Sequence, residues 1–513
     1  MTTRGYCTVM ATSVVVFIFS LGTSGWPQDF RRSHRDAWGP RYKAAPRGGQ
    51  VQRREHIGLD SVRRWNEIAL NANALDHVPV APEGPEQLGP LRTARAFAIV
   101  HIAIFDAVNA IVGGYRSYSG LSPARKGASM HAAIAQAAHD TLVELFPSQT
   151  KSFTALLAED LSKIHDGRAK KDGIDLGRQA AAAILALRAN DGSQYDEEIY
   201  GNEYMPAAGL GKWRQDLISQ IPIALGSRWA ELVTPFVLIA ADQFPVPSPP
   251  ALNTPEYAAA FNEVKNYGGC GDDPVACESE FGGSVTPTKR TPEQTQIGIY
   301  WGYDGTPGLG TPPRLYNQIV VQIAEQKGTD AIELARLLAL VNVAMADAGL
   351  ACWETKYREE FWRPITGIRE AAGDGNNDTV ENLSWTPLGA PASNKMGPNF
   401  TPPFPAYTSG HATFGAAMFE MLRKFYRTDR IRFTFVSDEF NGVTRDNQGI
   451  VRPLIPRSFK SLSEAEQENG QSRIYLGIHW AFDKTEGIEQ GRSVADYVFA
   501  NAFTPLHPSN HRQ

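Results

Sequence analysis

The stretch of sequence that most constrains the fold is PPFPAYTSGHATFG, at residues 402–415. Its prolines stiffen a loop, because each proline ring fixes a backbone torsion angle. Ser409 is a residue type that favours a helix N-cap, and the apolar run at 412–426 has helical spacing. Free N–H groups at a helix start bind anions, and Gly410 lets an oxyanion approach the backbone. The stretch predicts an anion site with His411 beside it, although a capped helix with an incidental histidine gives the same pattern.

A second cluster is WETKYREEFWRP, at residues 353–364, which closes an apolar helix that begins near Ala331. Lys356 and Arg363 are seven residues apart. Since this distance is two helical turns, the spacing predicts that both side chains project from one helix face. Pro364 predicts the end of the helix, because the residue before a proline disfavours the helical region. Taken alone, two basic residues at this spacing are also common on a solvated helix face.

The third cluster is SRIYLGIHWAFD, at residues 472–483. His479 and Asp483 are four residues apart, so the carboxylate can reach the imidazole. A carboxylate on one ring nitrogen fixes the tautomer and makes the other nitrogen a better ligand or nucleophile. A buried histidine with a satisfied N–H is the alternative interpretation.

Together, the three clusters bring three cations to one predicted helical core. Lys356, Arg363 and Arg473 would repel one another there, and an unpaired buried cation is costly. A tetrahedral oxyanion, phosphate or vanadate, would balance them, and guanidinium groups match its oxygen edges. Ser409 and the Gly410 amide supply neutral donors. The residues therefore predict an oxyanion site with one apical and one acid–base histidine.

The 513-residue chain as a whole predicts an all-α protein of two packed helical bundles, with the oxyanion site in the C-terminal one. Helical spacing dominates from about residue 58, and strand-like alternation is scarce. The net charge of −5 gives no basic field for nucleic acid. The predicted parts are a signal peptide at 1–25, a flexible basic lead-in at 26–55, an N-terminal bundle at 56–240, a Pro/Gly-rich connection at 241–313 and a C-terminal bundle at 314–505.

The N-terminus predicts export to the cell exterior or the periplasm. Arg4 precedes an apolar run at 14–19, and small residues follow at a cleavable spacing. An uncleaved anchor is the alternative; after cleavage we expect no membrane span. Cys270 and Cys277 flank a turn-rich stretch, where a small disulfide loop fits an exported protein. Cys352 lies in an apolar helical run and is expected to be a buried thiol.

The three clusters resemble the signature shared by vanadium-dependent haloperoxidases and type 2 phosphatidic acid phosphatases. That signature is Lys, six residues, Arg-Pro; then Ser-Gly-His; then Ser-Arg, five residues, His, three residues, Asp, and every position is present here. Thr408 stands where a proline usually precedes Ser-Gly-His, which should alter loop stiffness more than chemistry. The chain length, Trp353 one turn before the lysine and the PFPAY loop at 403–407 resemble the haloperoxidase branch, fungal chloroperoxidases in particular.

The resemblance also implies a role for each site residue. The vanadate oxygens would be held by an oxyanion cage, which we define as Lys356, Arg363, Ser409, Gly410 and Arg473. His479 would bond vanadium and be oriented by Asp483. His411 would pair with Asp304, which lies in a WGYDG segment, and would exchange protons with hydrogen peroxide.

The function implied by the resemblance is the oxidation of a halide by hydrogen peroxide to hypohalous acid, which can react with an organic acceptor. Trp353 and Phe404 would line the halide pocket. The resemblance implies bromide oxidation. Phe404 stands at a position that is histidine in many bromoperoxidases and phenylalanine in chloroperoxidases, so we hypothesise chloride oxidation as well.

Three other function classes compete with this interpretation. In an acid phosphatase, the same cage would hold phosphate, which also competes with vanadate. His479 would then form a phosphohistidine, and His411 would protonate the leaving group. A non-catalytic oxyanion-binding protein would need no acid–base histidine. A purely structural helical protein would have to bury three cations without a counter-anion.

Overall fold

The structure is a computed structural model, and it describes residues 38, 41, 61–78, 85–271, 277 and 285–506. Within these residues the chain is mostly helical, which confirms the predicted all-α class. The predicted signal peptide at 1–25 lies outside the described residues, as does the lead-in at 26–55 apart from Trp38 and Arg41. Trp38 is buried and packs edge-on against Phe400, with ring centroids 5.0 Å apart.

The first half of the chain is built from helices and one short strand pair. Its helices are α1 (Ser61–Asp76), α2 (Gly89–Val112), α3 (Met130–Leu145), α4 (Thr150–Ser162), α5 (Arg168–Arg188) and α6 (Trp229–Leu232), with a 3-10 turn at Pro147–Gln149. Strands β1 (Glu198–Ile199) and β2 (Ile223–Ala224) pair antiparallel ahead of α6.

The second half contains the remaining helices and a β-hairpin. Two helices, α7 (Pro255–Tyr267) and α8 (Pro292–Tyr300), lie within the predicted connection at 241–313. They are followed by α9 (Pro312–Gln326), α10 (Ala331–Glu359), α11 (Pro364–Arg369), a 3-10 turn (Ala371–Gly373), α12 (Gly410–Tyr426), β3 (Phe433–Asn441), β4 (Leu454–Phe459), α13 (Leu462–Tyr475) and α14 (Ala481–Asn501). The antiparallel β3–β4 hairpin was missed by the sequence analysis.

Helix α10 is the central element of the fold. The Asp330 side chain caps it by accepting a hydrogen bond from the Glu333 N–H at 3.0 Å. It packs against α2 from the first half and against α12 and α14 from the second. Both α2 and α10 are long and apolar enough to cross a membrane, but 83% and 100% of their most apolar windows are buried within the protein. The two helices therefore form the core that joins the two halves.

The end of α10 corrects the predicted relation between Lys356 and Arg363. The helix ends at Glu359, and Glu360 adopts a left-handed backbone conformation with φ 50°. Arg363 is consequently the N-cap residue of α11, and Pro364 begins that helix. Proline is favoured at a first helical position, because the missing N–H would have no partner there anyway. The prediction that Lys356 and Arg363 share one helix face is wrong: the chain turns between them.

Two glycines allow α14 to approach the start of α12. A Cβ added to Gly491 would lie 2.2 Å from the carbonyl oxygen of Thr413, and one added to Gly487 would lie 3.0 Å from that of Ser409. The Ser409 N–H also donates to the Asp483 carbonyl at 3.0 Å. Close packing of these two helices therefore holds the 409–411 and 479–483 segments side by side.

The cysteines fit the sequence analysis. Cys270 and Cys277 form a disulfide, and Cys352 is a buried free thiol.

Replacing Gly491 with alanine should destabilise the protein by about 1–3 kcal/mol, because the new methyl group cannot fit against Thr413 without moving a helix. Urea unfolding followed by circular dichroism measures the change. The matched control is Ser493→Ala on the partly exposed side of the same helix, which should change stability by less than about 0.5 kcal/mol. Equal stability of the Gly491→Ala and wild-type proteins would contradict the packing argument.

Candidate functional site

A cleft of about 720 Å³, counting the part open to solvent, contains most of the predicted site residues. Its lining includes Asp304, Trp353, Phe404, Gly410, His411, Arg473 and His479. The other four predicted residues lie behind this lining. Arg363 and Asp483 contact His479, Lys356 contacts Thr408, and Ser409 directly precedes Gly410. The structure thus brings the three sequence clusters to one place.

Lys356 is fully buried and is held by backbone carbonyls. Its Nζ donates to the carbonyl oxygens of Pro405 and Ala406, each at 2.9 Å, and to that of Thr408. Burial lowers the pKa of Lys356 to about 7, and repulsion from Arg363 acts in the same direction. Carbonyl oxygens solvate the ammonium but bring no negative charge, so a bound anion would favour its protonated form.

The Arg363 guanidinium donates hydrogen bonds to backbone carbonyls and to His479. Its Nε donates to the Phe404 carbonyl at 3.0 Å, and its Nη1 donates to the Ile478 carbonyl at 2.8 Å. Nη1 also donates to Nε2 of His479 at 2.9 Å. Burial lowers the pKa of Arg363 to about 9, and repulsion from Arg473 contributes.

His479 and Asp483 are hydrogen-bonded, with 2.8 Å between Nδ1 and Oδ2. His479 precedes α14, so the contact does not lie on a helix face. Asp483 instead sits in the first turn of α14 and also accepts from the Trp480 N–H at 3.1 Å. Since a carboxylate accepts, Nδ1 carries the proton, and Nε2 keeps its lone pair. Burial, together with the nearby Arg363 guanidinium, lowers the pKa of His479 well below its usual value, so the ring is neutral.

Arg473 and Ser409 supply donors that the described chain leaves unsatisfied. Arg473 Nη2 donates to Asp304 Oδ1 at 2.6 Å, while its Nε and Nη1 are buried without a partner among the described residues. Ser409 occupies the N-cap position of α12, as expected, but its hydroxyl makes no capping bond. Its Oγ is likewise buried with no partner in the part of the chain that the structure describes. Buried donors of this kind call for an acceptor, and a tetrahedral oxyanion has the required oxygens.

His411 is placed differently from the prediction. Its Nε2 lies 2.7 Å from the Gly302 carbonyl and 3.9 Å from Asp304 Oδ1. The expected pairing with Asp304 is therefore a close approach, while the hydrogen bond goes to the backbone. Because a carbonyl only accepts, Nε2 carries the proton and Nδ1 is the basic nitrogen. Burial and repulsion from Arg473 lower the pKa of His411 well below its usual value.

Two aromatic rings form the wall between the cations and the cleft. The ring centroids of Trp353 and Phe404 are 4.8 Å apart. Lys356 Nζ lies 5.0 Å and the Arg363 guanidinium carbon 4.9 Å from the centroid of Phe404. The Trp353 Nε1–H donates to the Leu225 carbonyl at 3.0 Å, which ties the wall to the first half. Anions entering the cleft would meet an apolar surface with positive charge behind it.

The sequence analysis missed the cleft residues contributed by the first half. They are Trp38, His77, Leu88, Gly89, Pro90, Ile221, Ile223 and Leu225. None of them belongs to a spaced motif, and their place in the cleft depends on packing between the halves. His101, by contrast, is fully buried in α2 and does not line the cleft.

Known proteins are similar to this chain over most of its length. The family model for the VCPO second helical-bundle domain matches residues 336–507, which contain the whole oxyanion cage. The vanadium chloroperoxidase of Curvularia inaequalis is 31% identical over 502 residues, which cover 85% of this chain and 80% of that protein.

Solved structures share the fold. The first bacterial vanadium-dependent iodoperoxidase superposes with a TM-score of 0.66 at 23% identity, over 89% of this chain and 99% of that one. An apo-type bacterial vanadium-dependent chloroperoxidase superposes with a TM-score of 0.60 at 15% identity, over 81% and 94% of the two chains.

Replacing Ser409 with alanine should weaken phosphate binding by about tenfold, because one buried donor to the anion is lost. The protein should unfold at an unchanged or higher temperature, because the hydroxyl has no partner within the described structure. Isothermal titration with inorganic phosphate and differential scanning calorimetry measure the two effects.

The matched control is Ser437→Ala, which removes a buried hydroxyl that donates to the Tyr300 carbonyl at 2.6 Å. It should lower stability and leave phosphate binding unchanged. The reverse pattern in the two variants would show that Ser409 does not face the anion.

Proposed function

Because this chain belongs to the vanadium-dependent haloperoxidase family, we propose that it oxidises halide ions with hydrogen peroxide and releases hypohalous acid. The observation that carries the proposal is the set of buried donors on Ser409 and Arg473 that have no partner among the described residues, close to a neutral His479. The relative from Curvularia inaequalis, alignable along 85% of this chain, supports vanadium chemistry over other uses of such a site.

Vanadate is the cofactor that fits these residues. The oxyanion cage would hold its oxygens, and His479 would bond vanadium through Nε2, which here accepts a hydrogen bond from Arg363. When bound, vanadate supplies a Lewis acid that activates peroxide while vanadium keeps its highest oxidation state. Asp483 fixes the tautomer that leaves Nε2 free to act as a ligand.

The residues of the chain would provide charge and proton transfer. In the overall reaction, hydrogen peroxide, a halide ion and a proton give hypohalous acid and water, and the halide loses two electrons to the peroxide. His411 would take a proton from peroxide at Nδ1, since its Nε2–H is held by the Gly302 carbonyl. Lys356, Arg363 and Arg473 would stabilise the negative charge that develops on oxygen.

Trp353 and Phe404 support a proposal about the halide. Their apolar rings stand between the cleft and two cations, so a weakly hydrated halide could approach the positive charge without competing water. We therefore propose bromide as a substrate and chloride as a further one, with an organic acceptor halogenated by the product.

We also propose that the protein works in an exported, oxidising compartment, the cell exterior or the periplasm. The Cys270–Cys277 disulfide supports this, because disulfides persist in such compartments. The mass of the mature protein isolated from the native host would show whether the residues before the proposed cleavage site are removed.

The decisive experiment uses purified protein stripped of anions. Orthovanadate, hydrogen peroxide and bromide are added, and bromination of a dye is followed with and without phosphate. We expect bromination that depends on vanadate and is suppressed by phosphate. Hydrolysis of a phosphomonoester without any bromination would contradict the proposal and assign the same cage to a phosphatase, with His479 as its nucleophile.

Replacing His479 with alanine should lower bromination by at least about 100-fold, because the vanadium ligand is lost. The matched control is His165→Ala, which removes an exposed histidine between α4 and α5 and should leave the rate unchanged. Full activity in the His479→Ala protein would overturn the assignment of this residue.

A further inference from the structure

The cleft contains a second group of buried polar atoms, separate from the oxyanion cage. They are Nε2 of His77, Oγ1 of Thr311 and Oδ2 of Asp304, and none has a hydrogen-bond partner within the described ranges. All three residues line the cleft. Because buried polar atoms in folded proteins are nearly always hydrogen-bonded, three such atoms on residues that line one cleft point to a small polar ligand.

His77 presents a hydrogen-bond acceptor. Its Nδ1 lies 2.9 Å from the Asn73 carbonyl, so Nδ1 carries the proton and Nε2 has a free lone pair. Its Cδ2, which is bonded to Nε2, lies 3.7 Å from the position that a Cβ on Gly305 would take. The Nε2 edge of the ring therefore faces the cleft-lining loop at Gly305. Burial lowers the pKa of His77 to about 4, so the ring is neutral.

Thr311 borders the same loop from the start of α9. Its Cγ2 lies 3.9 Å from the Gly305 Cβ position, and its hydroxyl makes no capping bond to its own helix. The Asn73 side chain holds this arrangement, since Oδ1 accepts from the Thr311 N–H at 3.3 Å. Asn73 of helix α1 thus helps to hold Thr311 near His77, and both side chains lie against Gly305, the residue that follows Asp304.

The chemistry of the three atoms selects the kind of ligand. The bare imidazole nitrogen is an acceptor, and so is Oδ2 of Asp304 in the carboxylate form: burial raises the pKa of Asp304, while its pairing with Arg473 favours the charged form. Such acceptors bind molecules with N–H or O–H groups rather than a halide or a phosphate. The hydroxyl of Thr311 can donate or accept. A small neutral molecule with two O–H groups and oxygen lone pairs satisfies all three atoms, which describes hydrogen peroxide and also water.

We propose that His77, Thr311 and Asp304 form a peroxide subsite of the cleft, adjoining the oxyanion cage and contributed in part by the first half. The identity of the ligand as peroxide rests on the proposed function. Asp304 spans the two regions, because its Oδ1 accepts from Arg473 while its Oδ2 belongs to the subsite. His77 is then a substrate-binding residue that the vanadate signature does not contain.

The first test replaces His77 with phenylalanine, which fills the volume of the ring and removes the acceptor. The KM for hydrogen peroxide should rise about tenfold, since one buried hydrogen bond to the substrate is lost. The KM for bromide and the Kd for vanadate should stay within about twofold of wild type. His77→Gln, which keeps an acceptor, should recover most of the peroxide affinity, and Thr311→Val should raise the peroxide KM by about threefold.

A matched control is His101→Phe. His101 is fully buried, both of its ring nitrogens are unpartnered in the described structure, and it does not line the cleft. This variant should leave all three constants unchanged. An unchanged peroxide KM in His77→Phe, or an equal rise in the peroxide and bromide KM values, would overturn the proposal. If His77→Phe does not fold, Thr311→Val decides by the same criteria.

A crystal structure of the vanadate-free protein soaked in hydrogen peroxide gives a readout that does not depend on activity. We expect two-oxygen density within about 3.2 Å of His77 Nε2 and Thr311 Oγ1, and its loss in Thr311→Val. Single-oxygen density at every peroxide concentration would assign the subsite to water and reject the proposal. If the wild-type protein fails to oxidise any halide, the proposed function falls, while the soaked crystals still decide the subsite.

Discussion

The backbone carbonyls of the loop at 402–408 hold two buried cations, and the arrangement of the site depends on this contact. Lys356 and Arg363 together donate to carbonyls of this loop from Pro402 to Thr408. A proline has a carbonyl but no N–H, so a proline-rich loop presents acceptors without competing donors. The loop can therefore solvate cations that α10 and the start of α11 carry into the core. It adds no negative charge, and burial leaves the pKa values of Lys356 and Arg363 lowered.

The same interaction would explain why the site favours a bound anion and why one such cage suits either vanadate or phosphate. Arg473 adds a third cation, and only one of its nitrogens is bonded to Asp304. A tetrahedral oxyanion would relieve the repulsion whether its central atom were vanadium or phosphorus. His479, held neutral with Nε2 unprotonated, would serve as a ligand to one and a nucleophile to the other. A peroxidase and a phosphatase would therefore differ in the anion that the cage holds and in the role of His479.

The sequence singles out residues that the structure brings together at one cleft, but it predicts their geometry only in part. Ser-Gly-His and the His–Asp spacing are local patterns, so residues such as His479 could be named without a structure. The prediction that Lys356 and Arg363 share one helix face is wrong because Glu360 adopts a left-handed backbone conformation. No residue type in that segment requires this conformation. The contact between His479 and Asp483 does not come from helical periodicity, because α14 begins after His479. It forms because Asp483, in the first turn of α14, accepts hydrogen bonds from the segment that leads into the helix. The β3–β4 hairpin and the position of His77 depend on packing between distant segments.

The two halves of the chain contribute different parts of the site. The cage lies within residues 336–507, the part that matches the family model. The first half supplies Leu225, whose N–H donates to the Pro403 carbonyl at 2.9 Å and whose carbonyl accepts from Trp353. It also supplies His77, at the end of α1. The charged groups of the proposed oxyanion cage are thus carried by one half, while both halves line the cleft through which substrates would reach them. Determinants of substrate choice should therefore be sought in both halves, in residues such as His77 and Leu225 of the first and Trp353 and Phe404 of the second.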